Sequence, residues 1–194
     1  MIFGRSTQAD KSGMDNFIAI LRGINVSGKN MIKMPELKTL FAALGFGSVH
    51  TYIQSGNVVF SAPAASEAQL VSVIEQSIAE RFGYQVPVLI RTAREWSRVL
   101  VNNPFLSEKD IDPAFLHVTL LEEAPQPAVV NKLLQYHYEP DRYVLDGRSV
   151  YLFCPGGYGN TKLSNAFFEN KLKVRATTRN WKTMNEIYQL TLTV

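Results

Sequence analysis

Phe17-Ile18-Ala19-Ile20-Leu21-Arg22-Gly23-Ile24-Asn25-Val26-Ser27-Gly28-Lys29-Asn30-Met31-Ile32-Lys33 opens as an unbroken apolar run and empties into a loop of glycine, asparagine and lysine. Five consecutive apolar residues bounded by turn residues fit a buried central strand. Downstream, Pro35 suits a first helical position and Glu36 the positive end of the helix dipole. Met34, Leu37, Leu40, Phe41 and Leu44 form one apolar stripe, and Gly45 follows it. Val49–Ile53 and Val58–Ser61 then read as hairpin strands around Ser55-Gly56-Asn57. Two donor-rich turns, 22–33 and 54–57, are therefore expected at one end of a sheet.

Further along, Pro63 breaks the chain, and Ser66 with Gln69 makes a capping box for a helix facing inward through Leu70, Val73, Ile74 and Ile78 and ended by Gly83. Val86–Ile90 reads as a fourth strand, followed by a helix carrying Trp96, Val99 and Leu100. The order β-α-β-β-α-β predicts an α+β, ferredoxin-like unit, with a mainly antiparallel sheet and helices on one face. Asn102-Asn103-Pro104 and the acidic stretch Glu108 to Pro113 read as a linker or a long surface loop. The order then starts again, with a strand at Phe115–Leu121, a helix at Pro125–His137 and a hairpin of Tyr143–Leu145 and Val150–Phe153 around Asp146-Gly147. A glycine-rich turn at Pro155–Asn160, a helix from about Thr161, a short strand near Val174 and a last helix from Arg179 complete it. Two ferredoxin-like (βαββαβ) subdomains, 16–103 and 114–194, are the expected architecture. Residues 1–15 read as a disordered leader or cloning remnant, with Met14 offering a second start.

The 194 residues are long enough for a substantial core, and 46% of them are hydrophobic. A net charge of +3 is too mild to imply nucleic acid by itself. The charge is uneven, however: Lys162, Lys171, Lys173, Arg175, Arg179 and Lys182 face only Glu169 between Tyr158 and Asn185, which predicts a basic face on the last quarter. Cys154 is the only cysteine, so an intrachain disulfide is excluded. It and the three dispersed histidines match no zinc spacing, and no metal or cofactor is expected. No apolar run approaches the roughly 20 residues of a membrane span.

Three stretches hold candidate chemistry. In 22–33, glycines let backbone N–H groups approach a ligand, while Arg22, Lys29 and Lys33 can neutralise an anion. The competing reading is turn chemistry, with Gly23 and Gly28 in left-handed positions and Asn25 and Asn30 bonding their own backbone. Gly156-Gly157-Tyr158-Gly159-Asn160-Thr161-Lys162 lacks the Lys-Ser/Thr pair of a phosphate loop, since Leu163 follows Lys162; a tight connection capped by Asn160 or Thr161 is the alternative. In Thr177–Thr183, Thr178 is the expected N-cap and Arg179 and Lys182 fall in a first helical turn, where cations oppose the macrodipole unless an anion is bound. Ser55 lacks the spacing of a nucleophile elbow, Cys154 has no local base, and His50 and His117 read as structural. RNA-recognition modules share this strand order, but Asn57-Val58-Val59-Phe60 lacks their Lys/Arg-Gly-aromatic run.

Arg22–Asn30, Met34, Leu37, Thr51–Phe60 and Thr177–Thr183, in this order, resemble the bacterial family DUF1697, a domain of unknown function. The resemblance spans about Phe17 to the C-terminus. It implies a cytoplasmic protein of two ferredoxin-like α+β subdomains and no established activity. It places Arg22, Asn25, Gly28, Lys29, Asn30, Gln54, Ser55, Gly56, Asn57, Arg179, Asn180 and Trp181 among the pattern residues, with Ser27 a small departure from glycine. The expected function is binding of a small anionic or phosphate-bearing ligand in a cleft between the two halves. Its expected ligand set is Arg22, Asn25, Lys29, Asn30, Lys33, Gln54, Ser55, Asn57, Lys162, Arg179 and Asn180. The rivals are an enzyme acting on such a ligand without a covalent nucleophile, and nucleic-acid binding through the basic C-terminal face.

Overall fold

A computed structural model describes residues 13–26 and 28–193. Most of the expected leader thus lies outside the described residues, but Met14 and Asp15 already belong to the first strand. The fold is α+β, with two four-stranded antiparallel sheets. The chain divides into two compact units, one reaching to Ala93 and taking in the residues from Leu190 on, the other Arg94–Gln189.

Unit 1 runs β1 (Met14–Leu21), α1 (Met34–Ala43), β2 (Gly47–Tyr52), β3 (Asn57–Pro63), α2 (Glu67–Phe82) and β4 (Val88–Thr92), with strand order β2-β3-β1-β4. Residues of β1 alternate between faces. Phe17, Ala19 and Leu21 join Val58, Phe60, Ala62, Val88 and Ile90 in a core with Leu37, Leu40 and Phe41 of α1 and Leu70, Ile74 and Ile78 of α2. Ile18 and Ile20, on the other face, are also fully buried, as an unbroken apolar run requires. The helix ends follow the sequence signals. Pro35 sits in the first turn of α1, Ser66 and Gln69 close a reciprocal capping box on α2, and Gly83 ends α2 in the left-handed conformation.

Unit 2 holds α3 (Ala93–Val101, from Arg94 on), two 3-10 turns (Pro104–Ser107 and Pro113–Phe115), β5 (Leu116–Leu121), α4 (Pro127–Leu133), β6 (Arg142–Asp146), β7 (Ser149–Phe153), α5 (Asn165–Leu172), β8 (Ala176–Asn180) and most of α6 (Trp181–Thr191). Its strand order is β6-β7-β5-β8. Leu121, Val150, Leu152 and Ala176 pack with Leu133, Phe168 and Leu172. Within this unit Trp96 of α3 is fully buried and donates its indole N–H to the Met184 carbonyl of α6 at 2.9 Å.

Three expectations are corrected. Helix α4 stops at Leu133 rather than His137, because the Tyr143 hydroxyl takes the carbonyls of Leu133 (2.6 Å) and Tyr136 (3.1 Å). Helix α5 begins at Asn165, capped by Ser164 rather than Asn160 or Thr161. The strand expected near Val174 lies at Ala176–Asn180, and it contains Arg179.

Gly56 explains why the β2–β3 turn is tight. Its φ is +75°, its carbonyl accepts from Leu21 N–H at 2.7 Å, and a Cβ there would sit 2.8 Å from Leu21 Cβ and Ile24 Cδ1. Gly56→Ala is therefore expected to lower stability by about 2 kcal/mol or more in urea denaturation, from the unfavourable backbone conformation and the forced shift together.

Candidate functional site

The two donor-rich turns of unit 1 do meet. Asn25 (φ +54°) joins them: its amide donates to the carbonyls of Ile32 and Gln54, each at 2.9 Å, and its Oδ1 accepts from Ile32 N–H at 2.8 Å. Asn30 (φ +46°) donates its amide to Gly23 O at 3.1 Å and offers its own carbonyl to Asn25 N–H. The buried Asn57 donates to Tyr52 O at 3.1 Å and Ser55 Oγ at 3.0 Å. Asn25, Asn30, Ser55 and Asn57 thus build the turns with their polar atoms, as the turn-chemistry reading required. What they hold in place is a basic surface. Lys29 and Lys33 are exposed, Arg22 is half-buried at the end of β1, and Gln54 is exposed on the facing turn. Lys33 has Glu36 at 3.8 Å, an exposed pair worth little.

Lys162, Arg179 and Asn180 belong to unit 2. The expectation that Arg179 opposes a helix dipole is overturned. It lies in β8, opposite Val118, and its guanidinium donates to Thr177 Oγ1 and Thr178 O at 3.0 Å each. Burial pulls its pKa down to about 10, which leaves it a cation at neutral pH. Helix α6 starts after Asn180, whose side chain caps it by accepting from Thr183 N–H at 2.7 Å. The basic segment is also less free than its composition suggested. Arg175 is paired with Glu122, and Lys171 Nζ lies 3.9 Å from the Tyr136 ring centroid and donates to its hydroxyl.

Two features escaped the sequence reading. Arg91, 2% exposed, occupies in β4 the place Arg179 has in β8: Arg91 stands opposite Ile18 of β1, and Arg179 opposite Val118 of β5. The signal was available in the placement of each arginine two residues before its helix, Arg91-Thr92 and Arg179-Asn180. The second feature is a polar chain inside unit 2. Tyr158 OH donates to Thr178 Oγ1 (3.0 Å), which bonds Asn165 Oδ1 (2.6 Å) and Thr119 Oγ1 (2.7 Å), while His117 stacks on Tyr158 at 4.8 Å. Burial pushes the Tyr158 hydroxyl up and the His117 imidazole down from its ordinary value of 6.5. Cys154 is fully buried and its thiol is pushed up to about 11, mainly by burial, so it offers no thiolate. Among the described residues no group of three or more His, Cys, Asp and Glu could hold a metal ion, and no helix is long and apolar enough to cross a membrane.

Residues 14–151 match the family described as "Protein of unknown function (DUF1697)". The chain belongs to the DUF1697 family. The matched span holds the loops of unit 1 and ends before the Thr177–Thr183 motif. A solved structure, that of the conserved bacterial protein SP0830 from Streptococcus pneumoniae, is similar to this DUF1697 chain with a TM-score of 0.68 and 26% identity. The likeness covers 92% of this chain and 99% of that one. No functionally curated protein matches.

Two outcomes are expected of the DUF1697 chain. His117 has a lowered folded pKa, so between that value and 6.5 the unfolded chain binds more protons than the folded one, and stability rises with pH. Acidification through that window should therefore cost stability, and His117→Gln should flatten that part of a melting-temperature profile. Asn25→Ala removes the bond to Gln54 that joins the two turns and the two bonds to Ile32 that close the loop. Amide exchange at Ile32 should speed up, with a stability loss of about 1–3 kcal/mol.

Proposed function

We propose that this cytoplasmic protein is a ligand-binding module whose unit 1 takes a small anionic, phosphate-bearing molecule on the surface around Arg22, Lys29, Lys33 and Gln54. The observation that carries the reading is the Asn25 bridge. It locks two turns together at 2.9 Å and fixes them before any ligand arrives, which lowers the ordering cost of binding. The surface holds Arg22, Lys29 and Lys33 with no carboxylate between residues 22 and 35. Exposed ammonium groups are suited to phosphate oxygens. Val26, Met31 and Ile53 are each more than half exposed on the same turns, which supports a ligand with an apolar group attached to its anion. The strand orders of the two units, and the equivalent places of Arg91 and Arg179, support reading the fold as a duplicated ferredoxin-like unit. In that reading only unit 1 carries the basic loop.

The test is calorimetric titration with inorganic phosphate and with butyl phosphate. Butyl phosphate is expected to bind saturably and more tightly, and Lys29→Ala should weaken it by about tenfold, the loss of one charge-assisted contact. Absence of binding by either compound, or an affinity that Lys29→Ala and Lys33→Ala both leave intact, would overturn the reading.

A further inference from the structure

Unit 2 contains a concavity of about 270 Å³ that the proposed anion surface does not use. One wall is Tyr138 to Asp141, the other Gly156 to Lys162. The walls are fixed to each other and internally. Thr161 Oγ1 donates to Asp141 Oδ2 at 2.5 Å, Asp141 N–H bonds Tyr138 O at 3.0 Å, and the Asn160 amide bonds Gly156 O at 2.8 Å. The Tyr138 ring is held edge-on against Phe167 at 5.4 Å. The shape is therefore made by the fold.

Two glycines stand side by side on one wall. Gly157 needs glycine, with φ at +85°. Gly156 does not: it is outside the positive-φ residues, and a Cβ on it would meet nothing within 4 Å. Neither backbone geometry nor packing asks for glycine there. Gly156 lines the concavity, so a large side chain there is expected to narrow it.

The lining chemistry states what fits. Lys162 lies with Nζ 5.5 Å from the Tyr138 centroid and is exposed, so it can receive a carboxylate. Glu139 is exposed on the opposite wall and Asp141 has one oxygen engaged by Thr161, so the acidic wall can receive an ammonium. One cation facing two carboxylates disfavours a phosphate. The volume lies below the roughly 300–1,000 Å³ typical of sites for drug-sized ligands, which favours a small ligand. We propose that this concavity binds a free α-amino acid, with its carboxylate on Lys162 and its ammonium on Glu139.

The experiment is amide NMR on the full chain, titrated with each free L-amino acid and with N-acetylated and C-amidated forms of any that bind. The expected result is saturable movement of the Gly156, Gly157 and Asn160 signals with at least one free amino acid and loss of binding when either end is blocked. Lys162→Met should weaken it about tenfold or more. Gly156→Leu should abolish it with the melting temperature unchanged, while Lys29→Ala, in unit 1, leaves it intact. No saturable movement with any free amino acid at millimolar concentration overturns the proposal. So does equal binding of the blocked forms, or undiminished binding by Gly156→Leu; should that variant be unstable, Lys162→Met and the blocked forms decide in the same way.

Discussion

An unbroken apolar strand has to be covered on both faces and paired on both edges, and β1 meets each condition. Every residue from Phe17 to Leu21 is at most 2% exposed, and the strand pairs with β3 on one side and β4 on the other. Full burial of each large side chain among them, Phe17, Ile18, Ile20 and Leu21, is worth about 1.5–3 kcal/mol, so this stretch fixes where the middle of the sheet lies. Its C-terminal end then fixes where the basic loop begins. Leu21 N–H bonds Gly56 O and Arg22 N–H bonds Pro87 O, which delivers the loop and the β2–β3 turn to the same edge.

Polar side chains take over where the apolar run ends. Asn25, Asn30 and Asn57 perform with amides what a strand performs with backbone groups: they satisfy carbonyls that the turns would otherwise leave open. Their capacity is largely spent on the protein itself. The cations beside them, Lys29 and Lys33 above all, are the groups left facing solvent. A division of labour between amides that build and cations that present thus runs through the candidate surface.

What the sequence revealed depended on whether apolar patterning carried the structure. It did in β1, α1 and α2, where apolar spacing, Pro35, the Ser66–Gln69 box and Gly83 all point the same way. It failed in β8, whose inward-facing Thr178 packs through hydrogen bonds to Thr119 and Asn165 instead of through methyl groups. A strand held by threonines shows no hydrophobic period, so from the sequence Arg179 reads as part of the helix that follows it. The end of α4 was hidden for a related reason, since it is set by the hydroxyl of Tyr143, ten residues away from Leu133. The meeting of the two unit 1 turns was legible from the order of strands. The concavity of unit 2 was not, because its two walls come from segments whose pairing depends on Thr161 reaching Asp141.

Trp96 and Trp181 are the two tryptophans of the chain, and both belong to unit 2. The core of unit 1 is built instead around Phe17, Phe41, Phe46 and Phe60, with ring centroids 4.7 to 5.9 Å apart. Tryptophan emission consequently reports from unit 2, whereas far-ultraviolet dichroism sums over both units. Coincidence of the two signals on heating would mean that the units unfold as a single cooperative body, and their separation would resolve the stability of each without cutting the chain.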